Sequence, residues 1–405
     1  MAGGLLLPNQ VFATSNNDRK FLFLLCNGGW DPTFVFAAEL SDPSIWTPSG
    51  ITTQENGIVF RYANSRPIVR EFFQNWGNLT AIVNGVEVRS ITHEACQRIV
   101  MTGVSQTNAD DWSAIIGGHS EDWLFPSLVV SGPAFSAKYS GSVIRLGADA
   151  QLSKLIDGRC LLETDLPTES LSNTTNAKIE SYLRKTAENF SQTNQHDVIA
   201  NAYLTALDRR QEVNELNIGN DLATNGNGFM FVRDKVKPVI DCFANGLARC
   251  AVVEHLGLWD AGWDTHSDIM AQNDHFETLF TDLNAILSEL SNRTGTTGSS
   301  LLDEVTVVVL SEMGRAPALN TIGGKDHWTY TTAMLIGSGI QGGQTVGGFG
   351  NGLLGQKTNF VTGDVSDTGK NITAQHIGAT VLTLAGLDAP SLTSGVEPIT
   401  AVITD

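Results

Sequence analysis

Short runs of apolar residues, each closed abruptly by glycine or a polar group, set the rhythm of this chain. Residues 21–26 are all apolar and stop at Asn27-Gly28-Gly29, and residues 305–310 stop at Ser311-Glu312. Runs of this length and texture predict interior strands of a largely parallel sheet. Residues 79–85 and 331–339 predict further strands, with weaker candidates at 126–131 and 143–146. Helical spacing of apolar positions appears at 92–102, 273–290 and 373–385. From about 149 to 257 the texture changes, and segments 169–190, 196–216 and 232–256 all support helical periods with polar faces. That stretch is expected to be a helical insertion or cap, with helices flanking the sheet as the alternative. The alternation predicts an α/β fold, a central mixed sheet flanked by helices, with one domain over 18–405. No fixed period suggests a solenoid or propeller.

Composition narrows the function classes. The 405 residues include 43 acidic and 25 basic side chains, a formal charge of −18. Nucleic acid is therefore not an expected partner, because such binding draws on Lys and Arg to neutralise phosphates. An anionic substrate would need local cations, metals above all. The five cysteines, Cys26, Cys96, Cys160, Cys242 and Cys250, show no CxxC spacing. Free thiols are expected, with a Cys242–Cys250 bridge as the alternative. No apolar run is long enough to span a membrane. Residues 1–13 are apolar with a small-residue boundary at Ala13, which reads as the remnant of an export segment within 1–17 and places the protein in the periplasm. The alternative is an ordinary disordered terminus.

Three loops set metal-binding side chains beside glycine: Gly-Gly-Trp-Asp31, Gly-Trp-Asp264-Thr-His266 and Gly-Gly-Lys325-Asp326-His327. Glu312 adds a carboxylate from a strand end. Carboxylates and imidazoles are the donors of zinc, magnesium, manganese and calcium sites, so one or two divalent ions are expected. The alternative for each Asp alone is a turn or helix cap. Thr92, in Ser90-Ile-Thr-His93, stands where a helix begins, so its hydroxyl is either a nucleophile beside open backbone amides or a plain N-cap. Arg315 either holds two substrate oxygens or neutralises Glu312, and Lys325 is a second cation beside the ligands. His119, His196, His255, His275 and His376 are expected to be solvated or packed.

These motifs, in this order, resemble the DUF1501 family, which is related to sulfatases within the alkaline-phosphatase-like superfamily. The later Gly337-Ser-Gly-Ile-Gln-Gly-Gly343 and Ala379-Thr-Val-Leu-Thr-Leu-Ala-Gly386 share in the likeness, which spans most of 18–390 outside the helical middle. The resemblance implies a mixed sheet between helices, two metals and a hydroxyl nucleophile. It further implies Asp31 and Glu312 on one metal, Asp264, His266 and His327 on the other, Thr92 as nucleophile, and Asp326 as a ligand or as the residue orienting His327. Exported members often carry twin-arginine signals. Two departures stand out. Glu312-Met313 replaces the usual Asp-His pair, which removes an imidazole and leaves one metal, a different metal or none at the strand end. Cys96 lacks the CxPxR context of sulfatases that mature a cysteine. The function expected is an exported, metal-dependent hydrolase of phosphate or sulfate esters acting on an anionic substrate. The alternatives are a noncatalytic envelope binding or assembly protein and a metal-dependent phosphotransferase or mutase.

Overall fold

The computed structural model describes residues 18–120, 122–146, 172–191, 200–201, 203–208, 211 and 231–404. The suspected export remnant, Cys160, His196 and about half of the stretch 149–257 lie outside them.

Twelve strands run through the described residues: β1 (Lys20–Cys26), β2 (Ile51–Glu55), β3 (Ile58–Tyr62), β4 (Thr80–Glu87), β5 (Phe125–Val129), β6 (Val143–Arg145), β7 (Ala248–His255), β8 (Val305–Ser311), β9 (Gly314–Arg315), β10 (His327–Trp328), β11 (Tyr330–Gly337) and β12 (Gln344–Val346). Eight of them form one sheet in the order β12-β4-β11-β8-β1-β7-β5-β6. Only β11 runs against the others, antiparallel to both β8 and β4. The carboxyl ends of β1, β4, β7 and β8 therefore share one edge, and the chain enters β11 from that same edge. Open α/β sheets bind ligands at such an edge.

Helices α1 (Ile68–Trp76), α2 (His93–Thr102), α3 (Trp112–Gly118), α5 (Lys237–Ala244), α6 (Gln272–Asn292) and α7 (Ala374–Leu384) supply the flanking layers, while α4 (Asn173–Ser191) is largely exposed. Alternate residues of the central strands feed opposite faces. Leu22, Leu24, Val307 and Val309 pack with Phe72, Phe276 and Leu283 of α1 and α6. Phe21, Phe23, Leu25, Val308 and Leu310 pack with Val100, Ile116 and Val381 of α2, α3 and α7. Continuous apolar runs are what two covered faces require.

One expectation fails. Residues 248–255 do not continue a helix from 232 but form β7, an interior strand between β1 and β5. Helix α5 ends at Ala244, and Gly246 at φ 67° turns the chain into β7. The run Ala-Val-Val at 251–253, short and β-branched, then favours the pleated surface. The helical middle accordingly does not reach 257. Cys242 and Cys250, on α5 and β7, are both buried and not bridged to each other.

Candidate metal centre

The loop after β1 needs glycine to take its shape. Gly28 adopts φ 120° and Gly29 φ 85°, and a Cβ on Gly28 would stand 2.5 Å from the backbone nitrogens of Trp263 and Asp264. Its absence lets the loop after β1 lie flat against the loop after β7. Gln272, buried at the start of α6, stitches the two together: its Nε2 donates to Gly29 O and Trp263 O, and its Oε1 accepts from Asp31 N. Arg315, fully buried, donates to the carbonyls of Gly28, Gly29, Trp263 and Lys325 and to Asp264 Oδ1 at 2.7 Å. Its fork thus holds Asp264 and the loop backbone, and the guanidinium has no exposure with which to hold a substrate.

Around Asp264 stand three imidazoles. His327 Nε2 is 3.3 Å and His266 Nε2 3.2 Å from Asp264 Oδ1, while His93 Nε2 is 3.4 Å from Oδ2. The two nitrogens of His266 and His327 face each other at 2.9 Å. Each ring is tied at its other nitrogen. His327 Nδ1 meets Ile91 O at 2.6 Å, His266 Nδ1 meets Asp326 Oδ1 at 3.2 Å, and His93 Nδ1 meets Glu312 Oε1 at 2.9 Å. A carbonyl or carboxylate can only accept, so the Nδ1 partners favour the Nδ1–H tautomer of each neutral ring while the Asp264 oxygens favour Nε2–H, and a cation at the Nε2 atoms decides for Nδ1–H. Two Nε2 lone pairs 2.9 Å apart repel unless a proton or a cation lies between them.

The spacing suits a cation. Ligand atoms of a tetrahedral ion with bonds of about 2.1 Å lie roughly 3.4 Å apart; the separations to the two Asp264 oxygens are 3.2–3.4 Å, and the His266 and His327 nitrogens stand closer, at 2.9 Å. Donor atoms of His93, Asp264 and His327 lie within 4.8 Å of one another. The electrostatics agree at Asp264 and His327. Burial pushes Asp264 up, but the hydrogen bond and charge of Arg315, with His266 and His93, outweigh it and hold the carboxyl below its ordinary range. Burial keeps His327 below the ordinary imidazole value, so its neutral form is favoured. The hydrogen bond to Glu312 holds His93 above it. Asparagine 320 donates to Asp326 Oδ1 at 3.3 Å and to His266 O at 2.8 Å, fixing that orienting carboxylate in place.

Asp31 stands apart. It is fully buried, caps the short turn at Pro32–Phe34 by accepting from Thr33, and pairs through Oδ2 with Lys325 Nζ at 2.7 Å. Lys325 is equally buried and also donates to Trp46 O at 3.1 Å. The structure thus gives Lys325 a carboxylate to neutralise rather than a substrate to meet, and gives Asp31 an ammonium where an ion had been expected. Glu312 joins the centre through His93. An imidazole enters from another element: His93 opens α2, while Met313 packs against Val88 and Cys96. His93 was visible in the Ser-Ile-Thr-His motif after a strand, yet nothing in its spacing from Asp264 foretold their meeting. Thr92 precedes it at the N-cap, but its hydroxyl makes no cap bond; it is exposed, with Ser90 Oγ at 3.4 Å. His119 bonds Ile115 O, and His255 ends β7, both away from the cluster.

Residues 238–403 match the family described as Protein of unknown function (DUF1501). The matched stretch is less than half of the chain; it carries Asp264, His266, Glu312, Arg315, Asp326 and His327 and leaves out Asp31, Thr92 and His93. No curated protein matches. Solved structures similar to the chain include a Bacteroides thetaiotaomicron protein described as a sulfatase, with 10% identity over 95% of this chain and 74% of that one and a TM-score of 0.40. The phosphonate monoester hydrolase of Agrobacterium radiobacter is 12% identical over 93% and 78%, with a TM-score of 0.35. Lipooligosaccharide phosphoethanolamine transferase A from Neisseria meningitidis is 12% identical over 94% and 58%, at 0.39. These likenesses are remote. No described helix is long and apolar enough to cross a membrane.

Proposed function

We propose that the chain is a metal-dependent hydrolase of phosphate or sulfate esters built around one divalent ion, held by Asp264, His266, His327 and His93. The observation that carries this reading is the convergence of three Nε2 atoms on one carboxylate, each ring tied to an acceptor through Nδ1. Histidine-rich donors favour a borderline ion such as zinc over calcium or magnesium. When bound, such an ion polarises an ester oxygen and lowers the pKa of a hydroxyl close by.

The chain's own groups supply the rest. Thr92 presents an uncapped hydroxyl directly before His93, and the first amides of α2 favour the oxygens of an anionic ester. In the proposed reaction the Thr92 hydroxyl gives up its proton as its oxygen forms a bond to phosphorus or sulfur, the ester bond to the alcohol breaks, and the alcohol leaves carrying that proton. Water then cleaves the threonine ester and restores the hydroxyl. Arg315 and Gln272 keep Asp264 and the β1 loop in register throughout. Asp31 has no part beyond its pairing with Lys325, which is why one ion rather than two is proposed.

Aryl phosphate and aryl sulfate turnover by the zinc-loaded chain tests the reading. Activity should vanish on chelation, in Asp264→Asn and in Thr92→Ala, and Thr92→Ser should retain it. Stoichiometric zinc without turnover of either ester would instead favour a noncatalytic binding protein, and full activity in Thr92→Ala would remove the nucleophile from the scheme.

A further inference from the structure

We infer that Glu312, which the strand end offers as a ligand, acts instead as a positioning residue: it locks the His93 ring through Nδ1 and so aims Nε2 at Asp264. The inference rests on the single-ion centre proposed above, for which the aimed nitrogen is a donor.

Glu312 is fully buried, and one of its oxygens carries both of its bonds. Oε1 accepts from Gly28 N at 2.6 Å and meets His93 Nδ1 at 2.9 Å, while Oε2 is buried without a hydrogen-bond partner. A single oxygen thereby joins the end of β8, the loop after β1 and the first turn of α2.

The tautomer explains why this contact matters. A carboxylate at Nδ1 selects the Nδ1–H form and leaves the Nε2 lone pair free, 3.4 Å from Asp264 Oδ2. In the other tautomer an Nε2–H would point at that same carboxylate oxygen and donate to it, closing the approach of a cation. Such an outer carboxylate fixes both ring orientation and basicity, and its loss typically weakens metal binding 10–100-fold. His266 and Asp326 repeat the arrangement on the far side of Asp264, but there the carboxylate is solvent-exposed. Glu312 is the desolvated member of the pair and is expected to have the larger effect.

Two measurements on the full chain decide it. In metal-free, nitrogen-15-labelled protein in mildly alkaline buffer, the long-range proton–nitrogen spectrum should show His93 protonated at Nδ1, and Glu312→Gln should shift it toward Nε2–H. Zinc titration against a competing chelator should show Glu312→Gln binding 10–100-fold more weakly than wild type, with Glu312→Asp recovering part of the loss. A wild-type His93 protonated at Nε2 overturns the inference, as does a folded Glu312→Gln with wild-type zinc affinity. The spectrum of the wild type needs no variant, so it gives an answer even if every Glu312 substitution unfolds the chain. Should no form of the chain bind zinc, the proposed function falls, while the His93 tautomer still reports on Glu312.

Discussion

Two carboxylates on neighbouring loops of one sheet edge meet opposite fates. Asp31 is sealed from solvent and neutralised by the chain's own ammonium, Lys325 Nζ at 2.7 Å. Asp264 is half-open, and although Arg315 steadies one oxygen, three imidazole lone pairs converge on it. The same chemical group thus completes a buried lysine pair in one place and, in the other, is shared between an arginine and three imidazoles in the proposed centre. What separates them is the donor at hand: a lysine brings its charge with it, whereas a neutral histidine brings only a lone pair.

The comparison breaks most visibly at Lys325. Lys325→Met strands the Asp31 carboxylate in the interior, and removing one partner of a buried pair costs about 3–5 kcal/mol. Urea unfolding of the metal-free chain should show a loss of that size, and a change near zero would mean that the pair is not closed as described. Gly28→Ala should follow. Its φ of 120° and the 2.5 Å approach to the Asp264 loop add steric conflict to roughly 1–3 kcal/mol of backbone strain. Lower stability together with weaker zinc binding is expected, because the same loop backs the centre; unaltered zinc affinity would uncouple the two.

Acid sharpens the contrast between buried and open histidines. Burial, then the neighbouring charges of His275 and Lys235, pushes His255 down to about 3, and burial pushes His275 down to about 4. Both accept hydrogen bonds at Nδ1, from Gly257 N and Leu258 N, and so must stay neutral. The unfolded chain binds these protons below its ordinary value near 6.5 and the folded chain does not. Stability is therefore fully present above about pH 6.5 and should fall as pH drops toward 4, by about 1.4 kcal/mol per unit for each ring. A stability curve flat across that window would contradict the assignment. The smallest effect belongs to the open cluster: His266→Ala should change metal-free stability by no more than about 0.5 kcal/mol while sharply weakening zinc binding. A large stability loss there would make the cluster structural.

The sheet was legible because its strands are buried on both faces and so appear as unbroken apolar runs; residues 21–26 and 305–310 needed no partner to be recognised. β7 was hidden because Ala248-Arg-Cys-Ala interrupts the apolar texture and follows a true helix, so the change of period falls inside one continuous segment. Within the site, Asp264, His266, Asp326 and His327 could be found as candidates from glycine-flanked loops. His93 could not be paired with them, since 171 positions separate it from Asp264 in the chain and only the folded sheet brings the loops after β4 and β7 to one edge. The burial of Lys325 and Arg315 was equally unreadable: a cation beside candidate ligands looks the same in sequence whether it faces a substrate or a carboxylate.

The most direct test of the central claim is the zinc stoichiometry of the native chain, measured alongside His327→Ala and Asp31→Asn. The account predicts one ion per chain, lost in His327→Ala and retained in Asp31→Asn. No bound ion, or two ions with one lost on changing Asp31, would contradict it.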